Sequence, residues 1–419
     1  MNISQSLPCL RVSVFAVAVL FSSCEKPEAG SAGASDYEAW TVQEELRIGA
    51  LDDPEYAFGA VGSLVVGKDG LIYTAHPQEL EVRIWTHEGQ PAGRLGGRGE
   101  GPGEFLGMAD IGLEGGALWV MDSRQFRLTY FQENGEVLRA QRLTVNRDAR
   151  RRDPVYGNPY PISPFGDGTF YGMRSGPLPQ IAERDSILIL HLRLDTASAI
   201  LDTIFVRPFR RQDGLAVQTP AGQWLYGTQL FADSPLLDIG DGEQGLVVAR
   251  RDSYSGTGVA SFQITRLSKT GDTIVHRALP YDPRPVDPGQ VQATISALAR
   301  SWHGNVGTEG PGLNALEELA TEALFVPAYA PPFTAVLLGR DDTIWLRGRR
   351  PRNGRMDWRV LDAEGRPLAR VDLPADFQLR AADRHHVWGV RLDRLGVPYV
   401  ERYAVIPVPS AETARSDPD

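Results

Sequence analysis

Few residues in this chain could do chemistry, and their spacing narrows the choice further. The 419-residue sequence has two cysteines, Cys9 and Cys24, and seven histidines. His76, His87, His191, His276, His303, His385 and His386 form no His-x-x-x-His pair or other zinc spacing. His385 and His386 fall in a predicted turn, where solvent exposure is expected. The stretch Gly96-Gly-Arg-Gly-Glu-Gly-Pro-Gly103 has the glycines of a phosphate loop, but no Gly-Lys-Ser/Thr ending and no helix start follow. It reads as a crossover between two elements, in which Arg98, Glu100 and Glu104 are the side chains able to hold a ligand. Gly172-Met-Arg-Ser175-Gly176 lacks the spacing of a nucleophile elbow. Calcium needs converging oxygen ligands, which can come from strands far apart in sequence. Asp110 and Asp122 are candidates, although Asp122 also suits a turn-organising role. No catalytic residue, metal set or cofactor follows from spacing alone.

Composition bounds the rest. With 42% hydrophobic and 23% charged residues, 44 glycines and 30 prolines, the chain is globular and rich in turn-formers, which excludes pervasive disorder and collagen. Acidic residues outnumber basic ones by 53 to 43, for a net charge of −10. A broad nucleic-acid surface is therefore not expected, because phosphate neutralisation needs a basic face. Only Lys26, Lys68 and Lys269 among the basic residues are lysine, a mark of genomic base composition. Two local basic runs, Arg147–Arg152 and Arg347–Arg352, are expected as solvated loops. Contact with anionic lipid headgroups or envelope polysaccharide is the functional alternative.

The amino terminus reads as an address. Arg11 precedes the apolar run Val12–Phe21, which is shorter than the roughly 20 residues a spanning helix needs. A basic residue, a short apolar run and small residues (here Ser22 and Ser23) describe a secretory signal. Cys24 follows at once, and the whole resembles the bacterial lipobox, in which that cysteine is lipidated and becomes the first residue. Cys9 lies within the signal, so cleavage leaves no partner for a disulfide. Several acyl chains on Cys24 would anchor the protein stably where one chain would not. The expected organisation is a signal at 1–23, a flexible tether at 24–39, a folded body at 40–407 and a disordered tail at 408–419. Export to the bacterial envelope with a lipid anchor follows. Glu25, where Asp is associated with inner-membrane retention, favours the outer membrane, facing the periplasm or the surface.

The body is a repeat. Trp85-Thr-His-Glu-Gly89, Phe131-Gln-Glu-Asn-Gly135, Leu267-Ser-Lys-Thr-Gly271 and Leu361-Asp-Ala-Glu-Gly365 each place a glycine four positions after an apolar residue, with a strand on either side. Leu194-Asp-Thr-Ala-Ser198 is a copy without the glycine. A second turn recurs upstream, as in Asp69-Gly70-Leu-Ile-Tyr73, Gly115-Gly116-Ala-Leu-Trp119 and Asp341-Asp342-Thr-Ile-Trp345. Repeats of about 40 residues with four strands each are propeller blades, which must stack to bury their faces. The predicted fold is all-β: a six-bladed β-propeller of four-stranded antiparallel blades near 59–97, 105–144, 160–208, 234–280, 331–374 and 376–407. Trp40–Ile48 alternates apolar with polar and is expected to supply the last blade's outer strand, closing the ring.

The stretch Gly96–Phe105, with Trp119-Val-Met-Asp-Ser123 and Arg127, resembles the NHL-type repeat, and residues 40–407 are similar to bacterial six-bladed β-propeller lipoproteins. Three segments interrupt the repeat, at about 145–159, 209–233 and 281–330. The longest carries helical signals: Asp287-Pro288 as N-cap and first residue, then Val291, Ile295, Leu298 and Trp302 on one face, ending at His303-Gly304-Asn305. A second helix is expected over about 314–325, with Leu316, Leu319, Ala323 and Leu324 together. These readings lead to a membrane-tethered, non-catalytic propeller of the bacterial cell envelope that binds a protein, peptide or glycan. The rival is a calcium-dependent hydrolase like the lactonase and paraoxonase propellers. Against it, none of the asparagines after Cys24 falls on an expected inner strand.

Overall fold

The computed structural model describes residues 37–132, 135–144, 159–175, 186–251, 254–306 and 310–409. The signal, Cys24, the tether as far as 36, the Arg147–Arg152 run, Gly176 and the tail from 410 lie outside the described residues.

The recurring turn explains why the chain folds back where it does. In each copy the amide of the fifth residue donates to the carbonyl of the second: Gly89 to Thr86, Gly135 to Gln132, Gly271 to Ser268 and Gly365 to Asp362, at 2.9–3.0 Å. Thr86, Ser268 and Asp362 also accept, through a side-chain oxygen, the amides two and four residues on. The glycines sit at φ between +73° and +92°, where a Cβ is costly. In the copy that lacks glycine, Ser198 takes φ +60° itself, and its hydroxyl donates to the Thr144 carbonyl.

These turns join strands into small antiparallel sheets. The first comprises Leu64–Val66, Ile72–His76, Glu81–Trp85 and Pro91–Gly96, and the second Met108–Glu114, Ala117–Asp122, Arg127–Phe131 and Val137–Arg142. The third comprises Tyr160–Pro164, Phe170–Ser175, Ser186–Leu194 and Ile200–Arg210, and the fourth Leu236–Ile239, Leu246–Arg250, Ser261–Leu267 and Thr273–Pro280. An eight-stranded sheet follows. One half holds Ala335–Leu338, Ile344–Arg352, Arg355–Leu361 and Pro367–Pro374. The other holds Gln378–Ala382, His386–Leu392, Pro398–Pro407 and the amino-terminal strand Glu38–Ile48. That last strand pairs antiparallel with Pro398–Pro407, from Trp40 opposite Pro407 to Ile48 opposite Val400. It also runs parallel to Pro367–Pro374 over Glu38–Trp40, which fuses the two halves. It starts two residues before the expected boundary at 40.

The arrangement is propeller-like: small four-stranded units stacked face to face. Each gap between successive units holds its own apolar cluster, such as Val82, Phe105 and Val120 between the first and second, or Trp345, Val360 and Val387 between the halves of the eight-stranded sheet. Ile48, Trp85, Trp388 and Val400 join the last half to the first sheet.

Because neighbouring strands alternate in direction, the recurring turns all lie at one end of the stack, and the long interruptions all leave from the other. Residues 209–233 form a hairpin, Leu215–Gln218 with Trp224–Gly227. Residues 281–330 supply helix α1, Pro288–Val306, and helix α2, Leu313–Ala323. The two insertions share one core: Leu215 and Leu225 of the hairpin pack with Ile295, Ala299 and Trp302 of α1 and with Leu316 and Ala320 of α2. They form a cap on one end of the propeller-like stack. Helix α1 begins as expected, with Asp287 Oδ1 accepting the Gly289 amide, but runs on to Val306, past the glycine at 304. Helix α2 stops at Ala323, where Leu324 turns extended.

Two expectations are corrected. The run Arg347–Arg352 lies on strand Ile344–Arg352 rather than in a solvated loop. Arg347 is half-buried, and Arg349 donates to the Leu230 carbonyl while lying over the Phe231 ring, so Arg349 holds the cap's connector. His386 is not in the turn with exposed His385. It starts a strand, half-buried against Trp388 and 3.4 Å from Glu45.

Candidate functional site: a capped wedge and a central channel

Two concavities collect the polar groups. The first runs down the middle of the stack, about 360 Å³, and is lined by the first strand of each four-stranded unit. Its ionisable side chains are Asp110, Asp238, Asp241, Arg340 and Arg380. Asp110 accepts the Ser63 hydroxyl and the Ile111 amide. Asp238 accepts the Leu338 amide of the next unit at 2.7 Å. Burial pushes Asp238 up to about 6, and the nearby carboxylates of Asp241 and Asp110 add to the rise. Burial raises Asp110 and Asp241 as well. Arg340 is spent on Asp383 at 3.2 Å and the Gly67 carbonyl at 2.9 Å. The channel carboxyls therefore hold their protons to higher pH than exposed ones do, Asp238 to about pH 6. Among the described residues, no three metal-ligating side chains converge there or elsewhere.

The second concavity is larger, about 940 Å³, and lies where the third and fourth sheets diverge under the cap. Its floor comes from strand Ile200–Arg210 and from the start of the fourth sheet, and its roof from the hairpin and α2. Alternation on the hairpin decides which side chains face it. Leu215, Val217 and Leu225 share the face that packs on the helices, which leaves Ala216, Gln218, Trp224 and Tyr226 on the other. Trp224 and Tyr226 remain 39% and 55% exposed, with ring planes 22° apart and centroids 6.5 Å apart. The roof is fixed in place: Trp302 Nε1 donates to the Tyr226 carbonyl at 2.7 Å. Gln229 bonds both the Ala323 carbonyl and the Phe325 amide at the end of α2.

The charges of this wedge are uneven in their engagement. Arg251 is buried and gives its donors to the carbonyls of Ala232, Ser234 and Phe333, and burial pushes it down to about 10. Asp213 accepts Arg210 and the Ser234 hydroxyl. Among the described residues Arg207 has one hydrogen-bond partner, a histidine: its Nε–H donates to His191 Nε2 at 3.3 Å, and its guanidinium lies 5.8 Å from the Phe209 ring centroid. His191 is 2% exposed, and burial, then the Arg207 charge, lowers it to about 4. It is therefore neutral at pH 7. Since Nε2 accepts, Nδ1 carries the proton and donates to the Tyr171 hydroxyl oxygen at 2.6 Å.

The sequence-derived candidates fall elsewhere. Arg98, Glu100 and Glu104 lie on the crossover from the first to the second sheet, at the capped end. Arg98 and Glu100 are exposed, while Glu104 turns its carboxylate onto the Gly101 amide at 2.9 Å. Asp110 does face the channel. Asp122 does not: it accepts the Leu106, Arg124 and Gln125 amides and the Gln125 side chain, the turn-organising role. Cys24 lies outside the described residues. Asp238, Arg207, Trp224 and Tyr226 were not singled out. The hairpin had a signal, since Val217-Gln-Thr-Pro-Ala-Gly222-Gln-Trp-Leu-Tyr226 carries the recurring turn between alternating residues. Arg207 had none, because its neighbour His191 is 16 residues away.

No family model matches the sequence, and no curated protein is similar to it. Among solved structures, a Bacteroides fragilis protein described as exported is 8% identical, with a TM-score of 0.42 over 89% of this chain and 98% of that one. A DUF4221-family member from Bacteroides vulgatus is 12% identical, with a TM-score of 0.42 over 89% of this chain and 100% of that one. Virginiamycin B lyase from Staphylococcus aureus is 10% identical, with a TM-score of 0.38 over 88% of this chain and 100% of that one. Likenesses this distant transfer no activity, substrate or partner to this chain.

Proposed function

We propose that this chain is an exported, lipid-anchored six-bladed propeller of the bacterial envelope. In this reading it holds a protein, peptide or glycan segment in the capped wedge and catalyses nothing. Counting the eight-stranded sheet as two blades gives six, since each half has four strands and its own apolar gaps. The observation that carries the binding role is the near-parallel Trp224–Tyr226 pair, left accessible over a cavity of about 940 Å³ beneath an otherwise well-packed cap. Large apolar rings kept partly wet in a pre-formed concavity are the usual recognition surface for a ligand. Native mass spectrometry of the protein mixed with size-fractionated envelope glycans and peptides tests this. A mass adduct is expected, and it should disappear in the Trp224→Ala/Tyr226→Ala variant. Adducts identical in both proteins would refute binding in the wedge.

The hydrolase reading draws support from the channel, where burial lets Asp238 exchange a proton at about pH 6. It expects calcium-dependent turnover of lactones or esters that falls in Asp238→Asn. Absence of turnover across a lactone and ester panel with added calcium would leave the binding reading.

A further inference from the structure

We propose that the wedge takes an acidic carbohydrate, with Arg207 gripping a sugar carboxylate while Trp224 and Tyr226 stack on the ring faces. This rests on the binding reading above and names the ligand class for the same site. The argument starts with an unspent cation. Arg207 is half-buried on strand Ile200–Arg210, lines the cavity, and has no carboxylate partner among the described residues. Of the two carboxylates that line the cavity, Asp213 acts on Arg207 only through its field, its oxygens being taken by Arg210 and Ser234, and Glu322 lies on the roof helix with no ion pair to Arg207. Desolvating a guanidinium without a counter-ion costs free energy, and that cost falls when an anion arrives.

The group is also aimed. Only Nε is used internally, by His191, which is itself held by Tyr171 and packed against Phe205. The neutral Nδ1–H tautomer of His191 can accept from Arg207 but brings no negative charge, so it orients the guanidinium without neutralising it. The two terminal nitrogens are left as a planar fork, the geometry that meets a carboxylate in two parallel hydrogen bonds. A second cation, Arg211, lines the same wall, is exposed and makes no described contact. Three arginines, Arg207, Arg211 and Arg251, line the wedge against two carboxylates, Asp213 and Glu322, a small cationic excess in a protein of net charge −10.

Two features turn an anion site into an acidic-sugar site. The exposed pair of near-parallel rings offers a flat apolar surface on the roof rather than a closed slot. Near it stand an amide and a hydroxyl suited to sugar hydroxyls, those of Gln218 and Thr228. The volume of about 940 Å³ is ample for a short oligosaccharide, whereas a lone small carboxylate would leave most of it wet.

The test measures quenching of tryptophan fluorescence and isothermal titration with trigalacturonate and with its uncharged counterpart, galactotriose. Trigalacturonate is expected to bind and galactotriose to bind about tenfold or more weakly. Arg207→Gln should weaken the acid by a similar factor while leaving galactotriose unchanged, with Arg207→Lys falling between, because it keeps charge but loses the fork. Trp224→Ala should weaken both sugars. Unchanged near-ultraviolet circular dichroism shows that each variant is folded. Equal affinity for the two sugars, or an unaffected Arg207→Gln, would overturn the anionic assignment while binding in the wedge stood. If neither sugar binds, the carbohydrate assignment is wrong, and the mass-spectrometric test above still decides separately whether the wedge binds anything.

Discussion

At Asp122 burial raises the carboxylate's proton affinity, but the amides of Leu106, Gln125 and Arg124 and the Gln125 side chain outweigh it, so the net shift is downward. A depressed folded value means that the charged form supports folding above the ordinary carboxylate range and that the support is lost as pH falls through the folded value. Asp122→Asn should therefore lower the melting temperature at pH 7, with a penalty that shrinks as the pH approaches 3. Asp238 behaves oppositely. Its proton affinity is raised to about 6 by burial, so the folded state holds an extra proton between pH 4 and 6, and stability drops as pH rises through that window. Asp238→Asn keeps an acceptor for the Leu338 amide and removes the buried charge. It should melt higher than the parent at pH 8, by on the order of 1 kcal/mol, and equal it at pH 4. Thermal scans across pH check both expectations.

At the scale of elements, strand Glu38–Ile48 carries an unusual share of the fold. It covers one strand edge on each side, antiparallel to Pro398–Pro407 and parallel to Pro367–Pro374, and sends Trp40 against Trp345. Trp40 is 8% exposed, so Trp40→Ala should cost roughly 3–5 kcal/mol. Removing residues up to 49 should lower the melting temperature by many degrees, because it bares two edges as well as a core. A truncated chain with undiminished stability would mean that the ring closes without this strand. The cap is a separate packing problem. Leu316 is fully buried among hairpin and helix residues, and Leu316→Ala should cost about 2–5 kcal/mol. Hydrogen exchange should show the opening concentrated in α1, α2 and the hairpin, with the sheets protected.

For the molecule as a whole, the prediction concerns location and metal. If Cys24 is lipidated, Cys24→Ala should move the protein from the membrane fraction to the soluble fraction, and unchanged fractionation would end that reading. No helix among the described residues is long and apolar enough to cross a membrane. Anything that binds only the folded state raises its melting temperature by mass action. On the binding reading, calcium added after EDTA leaves the melting temperature of the 25–419 chain unchanged. A calcium-dependent rise would shift weight to the channel carboxylates and to the hydrolase.

The all-β class, the four-stranded unit, the edge-covering role of Trp40–Ile48 and the two helices were legible in the sequence because each is written locally: a glycine four residues after an apolar one, alternation along a strand, apolar spacing along a helix. Even the turn without glycine follows, since Asp195 still accepts the Ala197 and Ala199 amides. The charges of the Arg347–Arg352 run mask a strand, and the groups that Arg349 meets, Leu230 and Phe231, lie more than a hundred residues away. The candidate site was hidden for the same reason. A channel draws one strand from each unit, and the wedge joins a strand, a hairpin and a helix that only the shared core of two insertions brings together. Local patterns dictate strands and turns through backbone geometry. Which side chains meet across the stack is decided by packing between units, a long-range choice that no single stretch of sequence records.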